Sequence, residues 1–364
     1  MIELSLVSAL AAARRWGYAE GVLATYVTYV AASLSPWLGA AAAGFFLALG
    51  RGVRLDRLGA LAVGLASAKF LLAPYVLGRA LPYYEALFYA MRQSPLWQSY
   101  APLTYLPGVP PLELAFGGTL LVVVLSALAG RALAEVLGPR AVYWPLLATE
   151  PLYFGHFYMS APLAWVAVYY AARGRPWLAL GSGALALGFH VYGGLLAFFS
   201  AALWGLWWIL PLVPVAFLLP QSWVLFSYAA RVPGLDPSSA LHLFHYSAPL
   251  WLVKVVVEGV FLVLMALMSG RMAVVPAVGL VATLLVARSS VEFGGLLYRH
   301  FFLVFPFAVV RLGFRGLVAS SVLSLAVFAV VVWFFGLDWG WAVAYASGRV
   351  AWGPVEEAYR QIYG

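Results

Sequence analysis

The chain has 364 residues and a formal net charge of +8, with 65% hydrophobic and 9% charged residues. An average soluble domain carries about 25% charged residues, so this composition excludes a soluble enzyme and a disordered chain. It also argues against a nucleic-acid-binding protein, because so few charges cannot form an extended basic face. We therefore expect an all-α protein that crosses a membrane many times.

The amino-terminal segment combines apolar residues at near-helical spacing with the pair Arg14 and Arg15. It lacks a basic amino-terminal region and a small-residue cleavage site, so it does not resemble a removable signal peptide. We expect it either to lie along the cytoplasmic leaflet as an interfacial helix or to lead directly into the first span. The chain contains no cysteine, which excludes disulfides and thiolate metal sites.

The apolar segments predict a polytopic transmembrane helical bundle of about 13 spans, since a helix needs roughly 20 apolar residues to cross the hydrocarbon. The predicted spans lie near residues 19–34, 36–50, 58–78, 113–135, 141–154, 157–172, 176–190, 193–209, 211–227, 248–269, 272–287, 300–313 and 316–336. Several are shorter than a bilayer ordinarily requires. No repeat and no composition boundary divides the chain, so we treat it as one domain.

Arginine clusters orient these spans, because short cytoplasmic loops are enriched in Lys and Arg. The clusters that fall on one side are Arg14/Arg15, Arg51/Arg54/Arg57, Arg140, Arg173/Arg175, Arg271 and Arg311/Arg315. The other side receives segments 79–112, 228–247, 288–299 and 337–364, which are richer in acidic residues. We therefore expect a multi-pass cell-membrane protein whose acidic side is extracytoplasmic.

The longest predicted loop, residues 79–113, contains Glu85 among several tyrosines and prolines. A long aromatic loop in a compact membrane protein is typically functional. A carboxylate beside aromatic rings at the membrane surface can act as a general base, since partial desolvation raises its pKa. The alternative is a solvated loop carboxylate near Arg79 and Arg92.

Ionisable residues within apolar spans are the next candidates, because their burial must be compensated. Glu150 lies at the extracytoplasmic end of a short span and can face the same cavity as Glu85. For His190 we favour a neutral imidazole that is hydrogen-bonded to a neighbouring helix. Lys254 and Glu258 are four residues apart and predict an ion pair that fixes helix packing. An ion pathway, and with it a transporter, is the alternative for that pair.

Extracytoplasmic cations complete the candidate set. His242 and His245 share a helical face, but two histidines without a third ligand do not make a metal site, so phosphate contact and plain surface remain open. Arg231, Arg299 and His300 lie close to membrane level and suit a lipid-phosphate leaving group. No nucleotide-binding motif or metal is indicated, which favours a lipid-linked substrate over a cytoplasmic nucleotide.

Three sequence segments carry a family resemblance. The run SPLWQSYAPLTYLPGVPP (94–111), preceded by Glu85, resembles the first extracytoplasmic loop of type C glycosyltransferases, which use polyprenyl-phosphate sugars. Segment 158–199 is similar to a GPI-mannosyltransferase pattern that ends in Gly-x-x-x-His-x-Tyr. Gly188, His190 and Tyr192 match that ending, with a shorter spacing before the histidine. Segment 298–307 is similar to a late aromatic-proline segment of the same enzymes.

The resemblance implies that residues 58–336 form a type C glycosyltransferase core. Residues 1–57 would then be an interfacial helix with an extra transmembrane hairpin, and residues 337–364 an extracytoplasmic tail. It implies transfer of a sugar, mannose by the resemblance, from a polyprenyl phosphate to an extracytoplasmic acceptor, with no cofactor. The single acid of the first loop and the extra spans leave an alternative, a non-catalytic scaffold or lipid-binding subunit with a membrane-protein partner.

Overall fold

The computed structural model describes residues 1–52, 55–70, 102–104, 106, 111–149, 152, 156–211, 254–286 and 300–329. Within these ranges the protein consists of helices and connections, without a strand, so the all-α prediction is confirmed for these residues. The α-helices are α1 (Ile2–Arg15), α2 (Tyr18–Leu34), α3 (Pro36–Gly50), α4 (Arg57–Phe70), α5 (Pro111–Leu137), α6 (His156–Ala172), α7 (Pro176–Phe189), α8 (Val191–Leu203), α9 (Gly259–Met268), α10 (Val274–Val286), α11 (Phe305–Arg311) and α12 (Phe314–Ala329).

Shorter 3₁₀ helices connect several of these elements, at Pro139–Leu147, Trp207–Ile209 and Gly270–Ala273. A π-helical turn, Lys254–Glu258, leads directly into α9. Among the described residues, a single helical segment, Gly118–Leu137, is long and apolar enough to cross a bilayer. Six further apolar helices within the same ranges have 10–17 residues each.

The amino-terminal helices α1, α2 and α3 pack on one another through small residues. An ideal Cβ at Gly21 would lie 2.6 Å from the Ala9 carbonyl oxygen, and one at Gly50 would lie 2.5 Å from the Ala11 carbonyl oxygen. Such contacts let the helix backbones approach closely, as in membrane helix pairs. Because α1 and α2 also contact α5, these amino-terminal helices are packed onto the rest of the described structure.

An aromatic core joins α4, α5, α6 and the 3₁₀ helix Pro139–Leu147. Trp144 and Trp165 are buried with their rings 5.0 Å apart, and Phe302 stacks on Trp165 at 5.1 Å. Phe70, at the end of α4, stacks on Trp144 at 5.9 Å. These large rings bury much of the apolar area that holds the elements together.

The predicted span at 141–154 has a different structure over its described residues. The 3₁₀ helix Pro139–Leu147 begins after Gly138, whose φ of 107° excludes most other residues, and contains Pro145. A 3₁₀ helix rises about 2.0 Å per residue, so nine residues cover roughly 18 Å of a hydrocarbon core about 30 Å thick. This segment therefore does not form the α-helical span that its apolar composition suggested.

The described arginines gather at one end of the structure. Arg131 forms an ion pair with Asp56, and its Nη1 lies 3.4 Å from Glu135 Oε1. Glu135 Oε2 in turn lies 3.2 Å from Arg173 Nη2. Further contacts join the ends of neighbouring elements, namely Arg14 to the Arg51 carbonyl, Arg175 to Glu20, Arg140 to the Leu312 carbonyl and Arg271 to the Leu203 carbonyl. Arginines of the predicted clusters thus connect the ends of neighbouring elements, which we call the arginine-rich end, and its cytoplasmic location stays a prediction.

Candidate functional site

Two hydrogen bonds connect the end of the first predicted loop to the end of α7. The Leu103 amide donates to the Gly188 carbonyl at 3.0 Å, and the Thr104 hydroxyl donates to the Phe189 carbonyl at 2.9 Å. Gly188 has a packing role here, because a Cβ at this position would lie 2.5 Å from Leu103 Cδ1. Leu103 and Thr104 are therefore held against the chain immediately before His190.

Two tyrosines of α2 add further hydrogen bonds around this contact. The Tyr29 hydroxyl donates to the Thr104 carbonyl at 3.0 Å, and the Tyr26 hydroxyl donates to the Met159 carbonyl. Both rings also contact Phe189, with centroid distances of 4.8 Å for Tyr26 and 6.0 Å for Tyr29. Each buried hydroxyl thus has a hydrogen-bond partner, which burial requires.

His190 is the residue that caps the start of α8. Its backbone is extended, and its Nδ1 accepts a hydrogen bond from the Gly193 amide at 2.8 Å. The acceptor nitrogen carries no proton, so the ring is neutral when it makes this bond. This hydrogen bond is local and agrees with the expected neutral ring, and the expected hydrogen bond to a neighbouring helix stays a prediction.

Tyr192 and His300 bring the second and third resemblance segments together. The Tyr192 hydroxyl oxygen lies 2.8 Å from His300 Nδ1 and 2.9 Å from Nε2. The imidazole is fully buried, and it lies against Gly279 of α10, where any Cβ would collide with the ring. Tyr192 and Gly279 together therefore fix the position of His300.

These contacts define a junction in which residues from all three resemblance segments meet. We call it the loop junction, and it consists of Leu103, Thr104, Gly188, Phe189, His190, Tyr192 and His300. Chemically it provides hydroxyl and imidazole groups that can exchange hydrogen bonds and a proton, held by backbone carbonyls and close glycine contacts. Of the seven predicted site residues, His300 lies within the described residues. The other six, Glu85, Glu150, Arg231, His242, His245 and Arg299, lie outside them.

A second polar cluster surrounds the extended chain that follows the 3₁₀ helix Pro139–Leu147. Lys69 Nζ donates to Ser324 Oγ at 3.0 Å, and Ser324 Oγ donates to the Ala148 carbonyl at 2.8 Å. The next residue, Thr149, donates from its hydroxyl to buried Glu258. Glu258 therefore bonds to this segment, while the side chain of its predicted partner, Lys254, lies outside the described portion of the structure.

Sequence reasoning missed Lys69 and the two tyrosines of α2. Lys69 lies in a predicted apolar span, so the rule that selected Lys254 and Glu258 applies to it equally. Tyr26 and Tyr29 are three residues apart and share a helical face, which was the available signal. Among the described residues, no three metal-ligating side chains lie close enough to hold a metal ion.

Comparison of the chain with protein-family models, with curated proteins and with solved structures gave no match.

Proposed function

We propose that this protein is a multi-spanning membrane glycosyltransferase of the type C class. In this proposal it transfers a sugar, mannose by the resemblance, from a polyprenyl phosphate to an extracytoplasmic acceptor. The bundle has about 13 spans, some of them shorter than the hydrocarbon core, and the donor enters sideways from the bilayer. The active side is the one opposite the arginine-rich end.

Exposed apolar helix faces support the membrane location. Trp37 at the start of α3 is 84% exposed and Trp177 at the start of α7 is 79% exposed. Runs of Val and Leu are also exposed along α9, α10 and α12. Soluble proteins rarely leave several large apolar patches in water, whereas lipid tails cover such faces without an energetic penalty.

The loop junction is the observation that carries the proposed activity. The three segments that resemble type C glycosyltransferases are distant from one another in the sequence, and no local pattern requires them to meet. Hydrogen bonds nevertheless connect Thr104 to Phe189 and Tyr192 to His300. A catalytic site assembled from these segments would need such contacts, so the junction supports a shared site.

The proposed reaction is a displacement at the anomeric carbon of the donor sugar. Glu85 takes the proton of the acceptor hydroxyl while the acceptor oxygen forms its bond to that carbon. The bond from the carbon to the phosphate oxygen breaks, and the electron pair leaves with the polyprenyl phosphate. Arg231, or Arg299 with His300 as a hydrogen-bond donor, stabilises the departing charge, because preorganised charges and donors act most effectively in a dry site.

A non-catalytic scaffold or lipid-binding subunit is the second candidate. The burial of His300 and the capping role of His190 favour it, because both imidazoles serve the packing of the helices. A transporter is the less favoured third candidate, because it rests on the predicted Lys254–Glu258 pair alone.

The test is sugar transfer by the purified full-length protein with a labelled polyprenyl-phosphate mannose and membrane fractions of the source cell as acceptor. We expect Glu85→Gln to lower the rate by about 10²–10⁴-fold, because it removes a positioned base, while donor binding changes less than about twofold. Glu3→Gln is the matched carboxylate-to-amide control, because Glu3 is exposed at the amino terminus. It should transfer at the parental rate.

Two other outcomes would redirect the proposal. If Glu85→Gln transfers sugar as fast as the parent, Glu85 is not the base. If the parent transfers no sugar from any polyprenyl donor but co-purifies with a stable membrane protein, the scaffold function replaces the enzymatic one.

A further inference from the structure

Two regions within the arginine-rich end of the fold differ in their electrostatics. In one region, Arg131 pairs with Asp56, and Arg173 pairs with Glu135. Arg175 Nη1 lies 3.8 Å from Glu20 Oε1. These carboxylates neutralise much of the local positive charge. The other region holds Arg140, Arg271, Arg311 and Arg315, and within the described residues no carboxylate pairs with any of them.

Contacts between elements connect Arg140, Arg271 and Arg311, and Arg315 follows them in the chain. Arg271 donates to the Leu203 carbonyl at 3.1 Å, and its guanidinium lies 4.6 Å above the Trp204 ring. The guanidinium of Arg311 lies against Gly270, the residue before Arg271. Arg140 donates to the Leu312 carbonyl at 3.0 Å, which places it beside the start of α12. Arg315 lies within the first turn of that helix.

Aromatic side chains border the same surface. Trp207 and Trp208, which follow α8, are 73% and 44% exposed, and Phe314 at the start of α12 is 78% exposed. Trp side chains concentrate at the level of lipid headgroups, where the ring is apolar on one edge and wet on the other. Trp207 and Trp208 follow Trp204, whose ring contacts Arg271, and Phe314 precedes Arg315. Exposed rings thus occur beside arginines that have no carboxylate partner among the described residues, as is typical of the boundary between the hydrocarbon and the headgroups.

We propose that Arg140, Arg271, Arg311 and Arg315, bordered by Trp207, Trp208 and Phe314, form a binding surface for anionic phospholipid headgroups. We call it the lipid patch. Guanidinium groups match phosphate oxygens by bidentate hydrogen bonding. The exposed aromatic rings select a lipid over a free phosphate ester, because only a lipid supplies acyl chains beside its headgroup. The lipid patch requires the membrane location proposed above but not the glycosyltransferase activity.

Native mass spectrometry of the protein released from nanodiscs tests this proposal. Nanodiscs of phosphatidylcholine with about one-fifth phosphatidylglycerol should leave phosphatidylglycerol preferentially bound to the parent. Excess glycerol phosphate should not displace it. Each arginine near an anionic surface contributes about 1 kcal/mol, so Arg311→Gln/Arg315→Gln should weaken phosphatidylglycerol binding by up to about thirtyfold.

Arg173→Gln/Arg175→Gln is the matched control, because it removes two arginines from the neutralised region of the same end. At about 0.15 M salt, charges separated by more than roughly 8 Å are largely screened, so we expect the control to bind as the parent does. Arg311→Lys/Arg315→Lys keeps both charges and should retain most of the preference for phosphatidylglycerol over phosphatidylcholine.

Equal losses in the two glutamine pairs would overturn the lipid patch, because binding would then follow net charge. Bound phosphatidylglycerol at no more than its proportion in the nanodisc, about one-fifth of the bound lipid, would overturn it as well, whatever the variants do. Displacement by glycerol phosphate would show a phosphate site rather than a lipid site. Failure of the parent to enter phosphatidylcholine nanodiscs would contradict the membrane location and the lipid patch with it, whereas loss of lipid preference in a parent that does enter them would contradict the lipid patch alone.

Discussion

The hydrogen bond between Tyr192 and His300 gives the loop junction its clearest single-residue test. Tyr192→Phe keeps the ring but leaves the buried imidazole without this partner. Loss of one buried hydrogen bond costs about 1–3 kcal/mol, so we expect a lower melting temperature in detergent. If His300 contributes to the donor site, the affinity for a polyprenyl phosphate should fall as well.

The control for Tyr192 is Tyr169→Phe. The Tyr169 hydroxyl donates to Glu135 at 3.1 Å at the exposed arginine-rich end. Water replaces such a bond easily, so the control should melt close to the parent. A Tyr192→Phe variant that is as stable as the control, with unchanged donor affinity, would show that this bond does not fix His300.

Asp56 predicts a pH dependence of stability. Hydrogen bonds from the Arg131 side chain lower the pKa of Asp56 from 3.8 to about 2, against the opposing effect of partial burial. Since the folded pKa lies below the unfolded one, the stabilisation is complete above about pH 4 and is lost as the pH falls toward 2. The carboxylate is 46% exposed, so we expect no more than about 1 kcal/mol.

Melting temperatures between about pH 7 and pH 2.5 measure this effect. Asp56→Asn should be less stable than the parent at neutral pH, and the difference should shrink as the pH falls below about 4. Arg131→Gln should also reduce the pH dependence of the melting temperature, because it removes the guanidinium that binds the Asp56 carboxylate. A difference between the parent and Asp56→Asn that stays constant over the whole acid range would exclude this carboxylate as the source.

At the scale of elements, Gly130 determines how closely α5 packs on the 3₁₀ helix Pro139–Leu147. A Cβ on Gly130 would lie 2.5 Å from Trp144 Nε1, inside a core with little free volume. We expect Gly130→Ala to destabilise the protein by about 1–3 kcal/mol through overpacking, which exceeds the gain in helix propensity of about 1 kcal/mol. Thermal unfolding in detergent measures the change.

Gly181→Ala is the matched control, because Gly181 also lies inside a helix but has no atom within 4 Å of its ideal Cβ. Here the propensity gain should dominate, leaving stability unchanged or slightly higher. A stable Gly130→Ala variant would mean that the Trp144 ring moves without loss of packing.

Apolar periodicity predicted most described helix positions well but not every helix type. The span near 36–50 coincides with α3, which Pro36 begins, and the span near 176–190 closely matches α7, which begins at Pro176. The α-helical span predicted at 141–154 was wrong for residues 141–147, because the apolar residues of a 3₁₀ helix resemble those of an α-helix. Gly138 and Pro145 were the available signals.

For the whole molecule, the arginine-rich end gives a topology prediction. Single cysteines at Gln93, in the predicted first loop, and at Gly313, between α11 and α12, should react with an impermeant reagent from opposite sides of the membrane. Gly313 suits this purpose because nothing lies within 4 Å of its ideal Cβ, whereas Gly174 has a φ of 66° that disfavours a side chain. The cysteine-free parent supplies the background.

Labelling of both positions from the same side would contradict the topology and the extracytoplasmic location of the proposed site. If Gly313→Cys is labelled from outside the cell and the Gln93 position is not, the topology is inverted. The lipid patch would then lie in the outer leaflet.

The sequence by itself determined that the described chain is helical and that its arginines form clusters. These properties follow from composition and from the spacing of residues along the chain, both of which are local. It also selected His190, Tyr192 and His300 as candidates, although it did not pair Tyr192 with His300.

Only the tertiary structure decided which of these residues meet. Thr104 and Phe189 are 85 residues apart, and Tyr192 and His300 are 108 residues apart, so no local pattern encodes either contact. The same holds for the division of the arginine-rich end, where Asp56 neutralises Arg131 across 75 residues. Each pairing depends on how the helices pack, and packing is set by side chains of several elements acting together rather than by any one segment.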